Sequence, residues 1–197
     1  MSTMIANMSM SLDGFIEDSA GDANRHLFGW TQSGPQEWTL PGDGRPFHTS
    51  AASANHMRSV LTDLGALICG RTLFDLTHGW GGRHPAGAPV FVVTHQAPTD
   101  WAHPDAPFTF VTDGVAAAVE QASALAGPRT VAVASADIAR QCLALGLLDV
   151  VAVDLVPVLL GTGKPWFAGL ADKVELEDPE IIAGERVTHL VYRVRGR

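Results

Sequence analysis

No stretch of this sequence reaches the roughly 18 consecutive apolar residues that a membrane helix requires. Its first residues, MSTMIANMSMSLDGFI, lack the charged start and unbroken apolar core of an export signal. The expectation is a chain with no membrane partner. Cysteine is scarce: Cys69 and Cys142 each sit inside an apolar run. That placement reads as two small buried hydrophobes in a reducing, cytoplasmic setting rather than as a bridge. Basic residues are outnumbered, 13 Lys and Arg against 21 Asp and Glu for a formal charge of -8. Only Arg193, Arg195 and Arg197 cluster, at the alternate spacing of a solvated strand face. A nucleic-acid partner is not expected, because binding there needs a basic stripe to displace counterions.

The motifs of several enzyme classes are missing too. LVPVLLGTGKPWF, residues 155–167, contains Gly-Lys, but a phosphate-binding P-loop in this register needs glycine at 158 and a hydroxyl residue at 165. Val158 and Pro165 stand there instead. No Gly-x-Gly-x-x-Gly follows a strand, which removes the standard dinucleotide fingerprint, and no Gly-x-Ser-x-Gly elbow marks a hydrolase. The eight histidines show no i, i+4 or alternate-strand pairing, and the cysteines lie far from them, so no metal site is expected.

What is present is an alternation. Residues 4–10 read as a strand, 50–64 as a helix with Met57, Val60, Leu61 and Leu64 at helical spacing, and 65–70 as a short buried strand. Strands at 89–94, 108–112 and 130–134 surround a helix at 114–127. SADIARQCLALG then opens on Ser135 as cap, carries Asp137 in its first turn, and stops at Gly146. Residues 149–160 form a long strand in which Pro157 marks a bulge or an end. The tail, KVELEDPEIIA and VTHLVYRVR, lacks an intervening helix and predicts an antiparallel pair along one sheet edge. The class is α/β with a mostly parallel sheet covered on both faces, and residues 1–197 read as one domain without repeats or linkers. Residues 13–49 show no sustained period.

In such folds ligands gather at the carboxyl ends of the parallel strands. That rule nominates Gly70-Arg71-Thr72, Thr94-His95, Ala134-Ser135-Ala136 and Gly161-Thr162-Gly163. Arg71 and Thr72 offer a guanidinium and a hydroxyl, and the helix after Ser135 offers free amides. Taken singly, each has a plain alternative as surface residue, cap or turn.

SLDGFI, LICGRTLFD, PVFVVTH, FTFVTDGVAAAVEQA and the block from Val131 through LGLLDVVAVDLVPVLLGTGKPWF together resemble the dihydrofolate reductase-like family that includes the RibD C-terminal reductase domain of riboflavin biosynthesis. The resemblance implies a three-layer domain, commonly a homodimer, that binds NADPH and reduces a small pteridine-like or ribosylaminopyrimidine-like heterocycle. It assigns the 2′-phosphate contact to Arg71 and Thr72 beside Gly70, a strand-end contact to Thr94, and the phosphate-facing helix opening to Ala134, Ser135 and Ala136. Val158, Leu159, Leu160, Gly161 and Gly163 then flank the nicotinamide. Asp13 is the candidate proton manager, through a pKa raised by desolvation or by orienting a water; the alternative is a turn-stabilising Asp-Gly pair. Trp30 and Phe47, with Trp38 and Trp80 nearby, either stack on a planar substrate or lie as lids over the core.

The chain departs from the family in three places. Ala134-Ser135 replaces a glycine pair, which crowds a pyrophosphate and adds strain if the local φ is positive. Asp137 competes with a phosphate for the helix end. Val150 stands where an acidic residue is usual. A deazaflavin carrier in place of NADPH, or a non-catalytic nucleotide-binding dimeric scaffold, are the rival expectations.

Overall fold

The computed structural model describes residues 2–17 and 23–196. Strand β1 (Met4–Ser11) leads to β2 (Phe15–Glu17), helix α1 (Ala23–Leu27), a 3-10 turn at Gly29–Thr31 and the hairpin of β3 (Gln36–Thr39) and β4 (Pro46–Thr49). Helix α2 (Ala51–Asp63), β5 (Leu64–Gly70), α3 (Arg71–Leu76), a second 3-10 segment at His78–Gly82, β6 (Val90–Val93) and β7 (Phe108–Val111) follow. The chain continues through α4 (Val115–Ala126), β8 (Thr130–Val133), α5 (Ala136–Ala144), β9 (Val150–Val156), β10 (Lys164–Pro165), β11 (Glu180–Ala183) and β12 (Thr188–Arg193).

Eight strands form one sheet in the order β11-β12-β9-β1-β8-β5-β6-β7. From β9 across to β7 every pairing is parallel. β12 runs antiparallel to β9, and β11 antiparallel to β12, giving the antiparallel C-terminal edge that the tail's alternation predicts. β9 ends at Val156, so Pro157, which cannot donate to the ladder, stands just beyond the strand rather than within it.

Period-two alternation divides the core between the two faces. Ala66 and Ile68 of β5 pack with Val115, Ala118 and Ala122 of α4 and Ile138, Ala139 and Cys142 of α5. The intervening Leu67 and Cys69 face the other way, against Phe74 of α3. On that second face Val156 packs against Leu27, Trp30 and Met57. The result is a three-layer α/β arrangement of the dihydrofolate reductase-like type. Burial pushes the thiols of Cys69 and Cys142 up to about 12 and about 11, as expected of inert core residues.

The aperiodic stretch hides a hairpin. Trp38 and Phe47 form an edge-to-face pair at 4.8 Å, and the Trp38 Nε1–H donates to Thr49 Oγ1 at 3.0 Å. Its strands are four residues each, too short to leave a periodic signature, although the turn between them, PGDGR, carries the usual turn residues.

Candidate active site

The chain leaves β1, builds β5, β6 and β7 on one side of it, returns as β8 beside β1, and then crosses to β9 on the other side. This reversal makes β1 the switch point of the sheet, and the carboxyl edge beside it is where such sheets bind their ligands. Along that edge stand, in strand order, the loop 157–163 after β9, Asp13 after β1, Ala134-Ser135-Ala136 after β8, Gly70-Arg71-Thr72 after β5 and Thr94 after β6. The junctions nominated from sequence therefore line one edge.

Asp13 is spent on the neighbouring loop. One carboxylate oxygen accepts the Ser11 hydroxyl at 2.6 Å and the Leu160 amide at 3.1 Å, and the other accepts the Gly161 amide at 2.7 Å. The Leu12 amide donates to the Val158 carbonyl at 2.9 Å alongside. Gly161 adopts φ 74, a left-handed conformation that glycine takes without steric cost, which turns its amide towards the carboxylate. The Ser11 hydrogen bond, opposed by burial and reinforced by the loop amides, holds the Asp13 carboxyl below its ordinary range. The desolvation route to a proton donor is thus not realised at Asp13. Val158 and Leu160 pack towards Val156 and Trp30, whereas Leu159 and, from the β1 loop, Leu12 are 69% and 62% exposed at the mouth.

Across the edge, Arg71 donates from Nε to Asp75 at 2.7 Å and from Nη1 to the Gln96 carbonyl at 3.1 Å. The Thr94 hydroxyl donates to the same carbonyl at 2.9 Å, which ties the exit of β6 to the start of α3; Thr72 is exposed beside it. Ser135 stands at the N-cap position of α5 but does not cap it, contrary to the sequence expectation. Its hydroxyl instead accepts the Gly70 amide at 2.9 Å, bridging β8 to β5. The expected strain is absent as well, because Ser135 has φ -140, ordinary extended backbone. Asp137 bonds Arg140 at 2.6 Å and Gln141 at 2.7 Å, so its charge is partly answered within its own helix.

These features fit a dinucleotide phosphate. The Ser135 hydroxymethyl group is turned towards β5, the first amides of α5 lie at the edge, and the Arg71 guanidinium is held by an exposed i, i+4 pair that costs little to exchange.

Trp30 is 3% exposed and has no face for a substrate ring. Its Nε1–H donates to Ser9 Oγ at 3.1 Å and its edge meets His189 at 5.3 Å, so the lid-over-core alternative is the one that describes it. Phe47 is half-buried against Trp38 in the hairpin.

The structure also assembles a polar cluster that sequence reasoning missed. On the face of the sheet under α2, Asp154 Oδ1 accepts from His189 Nδ1 at 2.7 Å, and His189 Nε2 lies 2.9 Å from Ser53 Oγ. Asp154 and His189 are cross-strand partners of β9 and β12. The His56 ring sits 4.8 Å from that of His189, and burial, followed by the charge of His189, holds its pKa down. One ligand atom each from His56, Asp154 and His189 lies within 4.8 Å of the others, so a convergence of metal-ligating groups exists despite the spacing in sequence. The order Ser53, His189, Asp154 resembles a hydrolase triad, but Ser53 is 1% exposed and the backbone of Gly184 closes over its hydroxyl, which leaves no path to a carbonyl carbon.

Among the described residues no helix is long and apolar enough to cross a membrane. No curated protein matches the chain in sequence. Among solved structures, a protein provisionally named for riboflavin biosynthesis from Shewanella sp. PV-4 superposes with TM-score 0.71 at 20% identity, covering 98% of this chain and 99% of its own. The riboflavin biosynthesis reductase Rib7 of Saccharomyces cerevisiae gives 0.61 at 12%, covering 98% and 90%. Dihydrofolate reductase from Enterococcus faecalis, solved with NADP(H), gives 0.53 at 14%, covering 98% and 96%. At these identities the likeness is one of fold. The sequence itself matches the RibD C-terminal domain over residues 2–190, and on that match the chain belongs to the RibD C-terminal domain family, a family of oxidoreductases.

Proposed function

We propose that this chain is an NADPH-dependent reductase of a small pteridine-like or ribosylaminopyrimidine-like heterocycle. The observation that carries the reading is the alignment of five loops along one carboxyl edge around β1, where an α/β sheet binds its ligands. Arg71, with Thr72, is the contact for the 2′-phosphate, a bidentate guanidinium being suited to that group. The opening of α5 from Ala134 to Ala136 receives the pyrophosphate, because its unpaired amides and helix dipole favour an anion. The loop from Val158 to Gly163 flanks the nicotinamide, with the exposed Leu159 and Leu12 as its apolar cover. When bound, NADPH supplies the hydride.

Asp13 acts here as a positioning residue. Its ionised carboxylate holds the amides of Leu160 and Gly161, and so fixes the loop that shapes the mouth and excludes water. We place the protein in a reducing, cytoplasmic setting, in line with two free buried cysteines, and take it to be a homodimer on the family resemblance alone.

The test is NADPH consumption by the purified protein in the presence of a phosphoribosylaminopyrimidine or a dihydropteridine. Substrate-dependent oxidation of NADPH is the expected result. A protein that binds NADPH but turns over neither class refutes the substrate reading, and turnover with a reduced deazaflavin alone refutes the cofactor.

A further inference from the structure

Asp154 is a buried carboxylate, 4% exposed, with the ligand atoms of two imidazoles within 4.8 Å. Its ion-pair partner among the described residues is His189 alone. A carboxylate removed from water needs a positive partner, and a shared proton or a metal ion can supply it. Two imidazole nitrogens and one carboxylate oxygen are the donors of three-ligand zinc sites, which keep a fourth position open. We propose that His56, Asp154 and His189 form a binding site for a divalent transition metal ion of the zinc type, with its open position facing the groove beside α2. This site is separate from the hydride chemistry assigned to the strand edge.

The Asp154–His189 pair needs little change, and the three ligand atoms, now within 4.8 Å of one another, draw together around the ion. His189 Nδ1 and Asp154 Oδ1 are 2.7 Å apart, joined by a proton. Ligand atoms on a tetrahedral ion with bonds of about 2.0–2.2 Å lie about 3.4 Å from one another, so the ion replaces that proton as the pair opens by about 0.7 Å. His56 completes the set from α2, one turn beyond Ser53.

The outer contacts are those that ligating groups require. A metal-bound histidine is oriented by a partner on its other ring nitrogen. His189 Nε2 has that partner in Ser53 Oγ at 2.9 Å. Ser53 is itself fixed, since its hydroxyl accepts from Ser50 Oγ at 3.2 Å. A Cβ at Gly184 would come within 2.3 Å of Ser53 Oγ, so only glycine lets the turn between β11 and β12 approach so closely. The second oxygen of Asp154 faces Asn7 Nδ2 at 3.5 Å. The groove itself, of about 650 Å³, is lined by His56, Asn7, Val60, Ala152, Ile182 and Val191 among others. His56 is the member of the cluster that borders this groove.

The full chain, stripped with a chelator, is titrated calorimetrically with zinc chloride beside His56→Ala and Asp154→Asn. Wild type is expected to bind one equivalent, with affinity at least tenfold weaker in each variant. Cobalt(II) should give wild type, but not His56→Ala, the visible absorption of a four-coordinate site. His56 is half-buried and its removal leaves the Asp154–His189 pair intact, so this variant decides the matter even if Asp154→Asn does not fold. A wild type that binds no zinc equivalent, or zinc binding that His56→Ala leaves unchanged, overturns the proposal.

Discussion

At the carboxyl edge of the sheet the charged side chains of Asp13 and Arg71 reach solvent and hold loops, whereas under α2 Asp154, His189 and Ser53 are buried and hold one another. Asp13 and Arg71 bond to loop amides, a loop carbonyl and a helix neighbour, and water can replace each of those contacts. Asp154, His189 and Ser53 join β9, β12 and α2 through contacts that water cannot reach. Losing a partner has different consequences in the two places. A group freed at the edge is resolvated, while a group freed in the cluster pays the full desolvation penalty. The edge is therefore suited to exchanging partners with a ligand, and the cluster to fixing the wall behind it.

The sharpest way to break this comparison is Asp154→Ala, which strands the buried His189 ring. It is expected to lower unfolding stability by about 3 kcal/mol or more, read from the urea midpoint at constant slope. A loss within about 0.5 kcal/mol, the scale of a surface substitution, would mean that the cluster is no more structural than the edge.

A pH series sharpens the comparison by removing a contribution that belongs to neither region. Burial pushes His84 down from 6.5 to about 4, and its Nδ1 accepts the Ala86 amide at 3.2 Å, which a proton there would displace. The unfolded chain then binds more protons than the folded one between these values. Stability is full above pH 6.5 and falls as the pH drops towards 4, by no more than about 3 kcal/mol. His84→Gln, which can keep an acceptor for Ala86, should flatten that slope in urea titrations run at successive pH values. An unchanged slope would assign the acid sensitivity elsewhere, with the α2 cluster as the next place to look.

Asp13→Ala has the smallest expected effect on stability, because two of its three partners are loop amides near the surface that water can satisfy, and the third, the Ser11 hydroxyl, still accepts the Phe15 amide. Its melting temperature should stay close to wild type while NADPH affinity or turnover falls several-fold as the loop 157–163 loosens. A large drop in melting temperature with unchanged binding would exchange the roles given to the two regions.

The two regions also differ in how far they could be read from sequence. Each edge junction is local: a buried strand, then a glycine, hydroxyl or arginine, then a helix signal. GALICGRT and TVAVASAD show their strand ends within a few residues. What stayed hidden there was the destination of side chains, as with Ser135, whose hydroxyl reaches β5 rather than its own helix. The cluster had no local signature at all. His189 bonds residues 35 and 136 positions away, and its pairing with Asp154 follows from the register of two antiparallel strands rather than from spacing. Tail alternation predicts that those strands pair, but not which residues face each other. The short hairpin from 36 to 49 escaped for a related reason, since its order comes from a Trp38–Phe47 contact across a turn.

The proposed cofactor contact at the strand edge is Arg71. Calorimetric titration of wild type and Arg71→Ala with NADPH and with NADH tests it most directly. Micromolar binding of NADPH is expected, with weaker binding of NADH and an Arg71→Ala variant that loses affinity for NADPH alone. No binding of NADPH, or equal weakening of both nucleotides, would contradict it.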